Sequence, residues 1–159
     1  MNETLNSIEV TFAYNTALGI LGRLKRKGVK IDQWIMDFVR FKPMIGKSGE
    51  KRKVVFIDGN DFPSHDRTSK NINEKAKELG YSIPHLETAF HLRDILSDRE
   101  IAGLGYKQII VMHESWPEGK LGTHYQLGLG RDAEGNWIHA CAPVGDTWME
   151  NIGFAYFAH

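Results

Sequence analysis

Apolar positions follow a helical period in much of the first two thirds of the chain and an alternating period in the last third. The segment 13–28 has apolar residues at Ala17, Leu21 and Leu24, and it ends at Gly28, where a helix would stop. This spacing predicts an amphipathic helix. Further helices are predicted in the same way at 30–41, 69–81 and 85–105.

Extended segments are predicted from alternation and from an excess of β-branched and aromatic residues. Two such segments stand in the first half of the chain and four follow one another at its end. They lie at 8–12, 52–58, 106–115, 123–130, 136–142 and 152–158. Helices that precede a run of strands predict an α+β fold, in which N-terminal helices pack on a C-terminal antiparallel sheet of about four strands.

Composition places the chain among globular proteins and predicts a single domain over residues 1–159, with 42% apolar and 25% charged residues. The 20 basic and 20 acidic side chains cancel, so binding to nucleic acid is not expected. The chain has one cysteine, no apolar run that would span a membrane and no secretory signal pattern. These features predict a soluble, cytoplasmic protein; export by other routes and the oligomeric state stay open.

A hairpin with two histidines is the most informative stretch, LGTHYQLGLGRDAEGNWIHACAPVG at 121–145. Its turn includes Asp132 and Gly135, which predicts that the two strands pair directly. His124 opens the first strand and His139 lies near the end of the second, so they are expected at neighbouring positions. A histidine oriented by a second polar side chain is typical of a general base. The alternative is that both are ordinary strand histidines without a chemical role.

The run YKQIIVMHES followed by THYQLGLGRDAEGNWIHA resembles the C-terminal half of papain-like cysteine peptidases. The similarity is to the peptidases that process bacteriocin leaders and to cell-wall peptidases, and it covers roughly residues 68–145. It implies a papain-like fold, a peptide or protein substrate, His124 as the catalytic base and His139 as the residue that orients it. Ala140 stands where the leader-processing family has an aspartate.

The same resemblance implies a cysteine nucleophile at the start of the first helix, where the helix dipole lowers the thiol pKa. The family pattern has Ala-Leu four residues after that cysteine, which puts Ala13 in the position of the nucleophile. Natural loss of the nucleophile, an engineered Cys→Ala change and a chance match each explain an alanine there. The family's oxyanion-stabilising glutamine is replaced by Ser7.

A zinc site is the main alternative, because His113, His124, His139 and Cys141 lie on three successive predicted strands. Histidine and cysteine are the ligands that zinc prefers, and the histidine strands also resemble those of zinc-dependent cell-wall amidases. The helix and the later ligands of those enzymes are missing here, so no metal or other cofactor is expected. Cys141 is expected to be buried and inert. A non-catalytic peptide-binding module is the third alternative.

Overall fold

The computed structural model describes residues 7–13, 17–39, 45–114, 124–133 and 135–159. These residues form an α+β structure, as the sequence predicts. The strands are β1 (Ser7–Thr11), β2 (Lys30–Ile31), β3 (Lys51–Asp58), β4 (Gln108–Val111), β5 (Gln126–Asp132), β6 (Gly135–Cys141) and β7 (Ile152–Ala158). The α-helices are α1 (Ala17–Arg26), α2 (Gln33–Val39), α3 (Ser69–Glu78), α4 (Thr88–Ile95) and α5 (Asp98–Gly103).

All seven strands belong to one sheet, in the order β1-β3-β7-β4-β5-β6-β2. The pairs β4–β7 and β2–β6 are parallel and the others are antiparallel. The expected C-terminal antiparallel sheet of about four strands is therefore wrong in extent and in direction. The three N-terminal strands enter the same sheet by pairing with strands distant in sequence, and alternation within a strand does not specify its partners.

The sheet is buried on two faces, which the alternation along each strand separates. In β3, Val54 and Phe56 point to the face covered by α1, α2, α4 and α5. Val55 and Ile57 point to the opposite face, which α3 covers together with the buried Trp148. We call these the four-helix face and the α3 face.

Helix α4 lies between α1 and the sheet and is buried on nearly every side, from Thr88 through Arg93. The predicted single helix 85–105 is divided into α4 and α5, because Ser97 caps a new helix. Its side chain accepts from the backbone N–H of Glu100, whose side chain accepts from the N–H of Ser97. Polar side chains on α4 therefore need partners inside the protein.

The predicted helix end near Gly28 is confirmed, and the helix predicted at 69–81 ends at Glu78, shortly before Gly80. Both glycines have positive φ, 82° and 76°, the left-handed conformation that favours glycine just after a helix. The basic end of α1 is only partly solvated, since Arg23 and Lys27 bind the carboxylate of Asp94 on α4 at 2.8 and 2.6 Å. These ion pairs connect the end of α1 to α4.

Candidate functional site

A histidine–aspartate pair lies on the α3 face, near the β2 edge of the sheet. Strand β2 pairs with β6 in parallel, with Ile31 beside Ile138, so the next residues, Asp32 and His139, are also neighbours. The Nδ1 atom of His139 lies 3.0 Å from Oδ2 of Asp32. Their side chains are 36% and 35% exposed, so the pair is accessible while its geometry is set by strand pairing.

The carboxylate fixes the orientation of the His139 ring. A neutral imidazole that donates from Nδ1 to Asp32 has its lone pair on Nε2, the form required to accept a proton from a ligand. The indole of Trp137 packs on the imidazole, with 4.4 Å between the ring centroids. Trp137 in turn lies across Gly130, where a Cβ would be 2.8 Å from the indole. Trp137 therefore packs on one face of the His139 ring, and the carboxylate of Asp32 holds its Nδ1 edge.

Cys141 follows His139 on the same face but is packed into the sheet. Its thiol donates to the carbonyl oxygen of His139 at 3.6 Å, and a Cβ on Gly128 would lie 2.6 Å from its sulfur. Burial, with a smaller contribution from the negative charge of Asp32, raises the pKa of Cys141 to about 12. The thiol stays protonated at neutral pH, so it is not a nucleophile for this pair. The expectation of an inert cysteine agrees with this geometry.

The predicted pairing of the hairpin strands is confirmed, but their register does not place His124 opposite His139. Strand β5 pairs with β6 from Asp132 opposite Gly135, and this register places Gly128 opposite His139. His124 lies four residues before Gly128, roughly 13 Å along the chain at about 3.3 Å per residue. The tight turn fixes this register, in which a glycine and not a histidine lies opposite His139. The partner of His139 is Asp32.

Position 13, the predicted site of the missing nucleophile, contacts a different histidine. The backbone N–H of Ala13 donates to Nε2 of His91 at 3.4 Å, and Ser48 Oγ donates to the Ala13 carbonyl at 3.5 Å. Helix α1 begins at Ala17, and residues 14–16 are outside the described residues. The imidazole that contacts residue 13 in this way is therefore contributed by α4.

His91 is held in a buried setting that favours its neutral form. Its Nδ1 donates to the carbonyl of Glu87 at 3.0 Å, and burial lowers its pKa.

Ser7, the predicted oxyanion residue, starts β1 and pairs with Val55. Ser7 lies at the start of the extended strand β1 and Ala13 follows its end, so the structure does not bring these two positions together.

His113, a ligand in the zinc alternative, has both ring nitrogens engaged by the backbone. Its Nε2 accepts from Leu127 N–H at 2.8 Å, and its Nδ1 donates to the Glu114 carbonyl at 2.7 Å. Burial lowers its pKa to about 4. Among the described residues, no group of three or more His, Cys, Asp or Glu side chains could hold a metal ion. The geometry thus gives the zinc alternative no support.

Sequence reasoning did not find Asp32 as the partner of His139. Asp32 lies directly before α2, which begins at the next residue, Gln33. The two partners are 107 residues apart. No local signal joins them, because they become neighbours only when β2 adds to the edge of the sheet.

Comparison with protein-family models, curated proteins and solved structures found no match to this chain. Within the described residues, no helix combines the length and the apolar character needed to cross a membrane. The site is therefore interpreted from its own geometry.

Proposed function

We propose that the protein is a hydrolase-like domain that acts on an amide or ester bond of a peptide-like substrate, with His139 as general base. One observation carries this proposal: the 3.0 Å contact between His139 Nδ1 and Asp32 Oδ2 in a partly exposed pair. In this arrangement Nε2 accepts a proton from a water molecule while that water attacks the carbonyl carbon of the substrate. Asp32 stabilises the imidazolium that forms.

The chemistry at His139 does not use a side-chain nucleophile among the residues that it contacts. Its described neighbours are a carboxylate, an indole and a protonated, mostly buried thiol. Activated water is therefore the attacking species in this proposal. The water's proton moves to Nε2, and the same imidazolium later returns a proton to the leaving amine or alcohol.

The test compares three conservative variants in hydrolysis of fluorogenic peptide amides and p-nitrophenyl acetate. We expect His139→Gln to reduce kcat/KM by roughly 10²- to 10⁴-fold, the usual contribution of general-base catalysis. Asp32→Asn is expected to give a smaller loss, because the base remains but loses its orienting charge. His124→Gln is the matched control, a second histidine of the same hairpin, and should leave kcat/KM nearly unchanged.

The outcomes separate this proposal from the papain-like one. Loss of activity in His124→Gln with retention in His139→Gln would restore His124 as base and contradict our assignment. If purified protein hydrolyses none of these substrates yet binds peptides, and His139→Gln weakens that binding, the non-catalytic peptide-binding module becomes the better interpretation.

A cysteine-peptidase centre that lost its nucleophile at Ala13 is a second candidate, within a papain-like architecture. The observation that favours it is the 3.4 Å contact between Ala13 N and His91 Nε2, since a cysteine at this position would have an imidazole nearby. The variant Ala13→Cys tests it by thiol reactivity as a function of pH. A thiol pKa well below the free value of about 8.5, lost on His91→Gln or His124→Gln, supports this candidate. A thiol that titrates near the free value contradicts it.

A further inference from the structure

A cleft of about 520 Å³ opens on the four-helix face, where α5 meets the beginning of β4 and the end of β5. The His139 side chain lies on the opposite face of the sheet, so this cleft is separate from the proposed hydrolytic site. Cavities of roughly 300–1,000 Å³ have the size of small-molecule sites. The cleft is therefore large enough for a ligand with one or two rings.

The floor of the cleft is apolar and rigid. Ile101 and Tyr106 are 2% and 5% exposed and form part of the core packed under α5. The Tyr106 ring lies against Gly153, where a Cβ would be 2.5 Å away. A floor packed in this way into the sheet is preformed, so a flat apolar group can bind to it without rearrangement.

The rim of the cleft is cationic. Arg99, Lys107 and Arg131 line it, and their side chains are exposed. Arg99 and Lys107 contact no carboxylate among the residues that the structure describes. Two cations that contact no described carboxylate, beside an apolar floor, favour an anionic ligand with an apolar body.

Among the described residues that line the cleft, the carboxylate is that of Asp98, and it is already engaged. Asp98 binds the buried Arg93 at 3.0 Å and Arg131 at 3.5 Å, and the Asn136 amide lies against the same carboxylate. Arg93 also donates to the carbonyl of Gly130 at 3.2 Å. The negative charge of Asp98 is thus compensated from within the protein and does not neutralise Arg99 or Lys107.

We propose that this cleft binds a small organic anion, with an aromatic or aliphatic body on the floor and a carboxylate, phosphate or sulfonate group at the rim. The body contacts Ile101 and Tyr106, and the acid group lies between Arg99 and Lys107. This inference is independent of the chemistry proposed for His139.

The test uses 1-anilinonaphthalene-8-sulfonate as probe, and N-phenyl-1-naphthylamine, the same ring system without the acid group, as its neutral counterpart. We expect amide-resonance shifts at residues 98–107 and 130–131 and a rise in fluorescence. The double variant Arg99→Gln/Lys107→Gln should weaken sulfonate binding roughly tenfold, from two exposed charge interactions, without changing binding of the neutral amine. The double variant Lys25→Gln/Lys77→Gln, two exposed lysines on α1 and α3, is the matched control and should bind like the parent.

A second variant, Ala102→Trp, should block the cleft, because Ala102 lines it from an exposed position on α5. It is expected to weaken both probes, while the charge variant weakens only the sulfonate. Resonance shifts confined to another surface overturn the proposal. Sulfonate binding that is equal in the parent and in the Arg99→Gln/Lys107→Gln variant also overturns it, by showing that the rim does not recognise the anion.

Discussion

Two histidines of the same sheet, His113 and His139, differ in what their ring nitrogens contact. His113 is 2% exposed, and its ring binds a backbone N–H on one side and a backbone carbonyl on the other. His139 is about one third exposed and binds the carboxylate of Asp32 through Nδ1. The first ring has no nitrogen left for a ligand, and the second presents Nε2 at an accessible face.

The difference shows how backbone pairing determines the role of a histidine. The ladder between β4 and β5 ends at Ile110 opposite Gly128, and His113 follows three residues later. Its Nε2 is the acceptor for the N–H of Leu127, one residue beyond the end of that ladder. His113 is thus a structural replacement for a main-chain acceptor, whereas His139 lies in a regular strand and projects from it.

The largest expected effect follows from removing the His113 ring. His113→Ala leaves the N–H of Leu127 without its acceptor and creates a cavity, so we expect a loss of about 3 to 4 kcal/mol in the free energy of unfolding. Urea denaturation followed by circular dichroism measures it. His139→Ala is the control and should cost about 1 kcal/mol or less, because its ring is partly exposed and its contact with Asp32 is accessible to solvent. Equal losses in the two variants would remove the distinction between these histidines.

Acid should act on the same buried ring. The folded-state pKa of His113 is about 4, and its ordinary value is 6.5, so between these values the unfolded chain binds a proton that the folded protein does not. The free energy of unfolding therefore keeps its full value above about pH 6.5 and falls as the pH approaches 4. This group accounts for a loss of about 3 kcal/mol over that range. The lowered pKa of His91 contributes in the same direction.

Urea denaturation at a series of pH values from about 7 to 4 measures this loss. His113→Gln is the matched variant, since its amide oxygen can accept from Leu127 N–H but does not titrate. Its stability should fall less steeply over the same range. An unchanged slope would show that His113 does not dominate the acid response.

Local pattern predicted the local features of this protein well. Helical spacing and Gly28 predicted α1 and its end, and the turn at 132–135 predicted the β5–β6 hairpin, because each of these depends on residues close in sequence. Sheet order, the two parallel pairs and the contact of Asp32 with His139 depend on pairing across long separations. Alternation shows which face a side chain occupies but not which strand lies beside it, so it does not identify Asp32 as the partner of His139.

The smallest effect on stability, and the most direct test of the His139 environment, is expected from Asp32→Asn. Asparagine caps a helix about as well as aspartate and the pair is a third exposed, so the free energy of unfolding should change by about 1 kcal/mol or less. The tautomer of the neutral His139 ring should change more clearly, because an amide no longer favours a proton on Nδ1 as a carboxylate does. Ring ¹⁵N chemical shifts measured at about pH 8 distinguish the tautomers. Asp37→Asn on the same helix is the control and should leave the His139 shifts unchanged. A His139 ring with the same ¹⁵N shifts in the parent and in Asp32→Asn would show that Asp32 does not orient it.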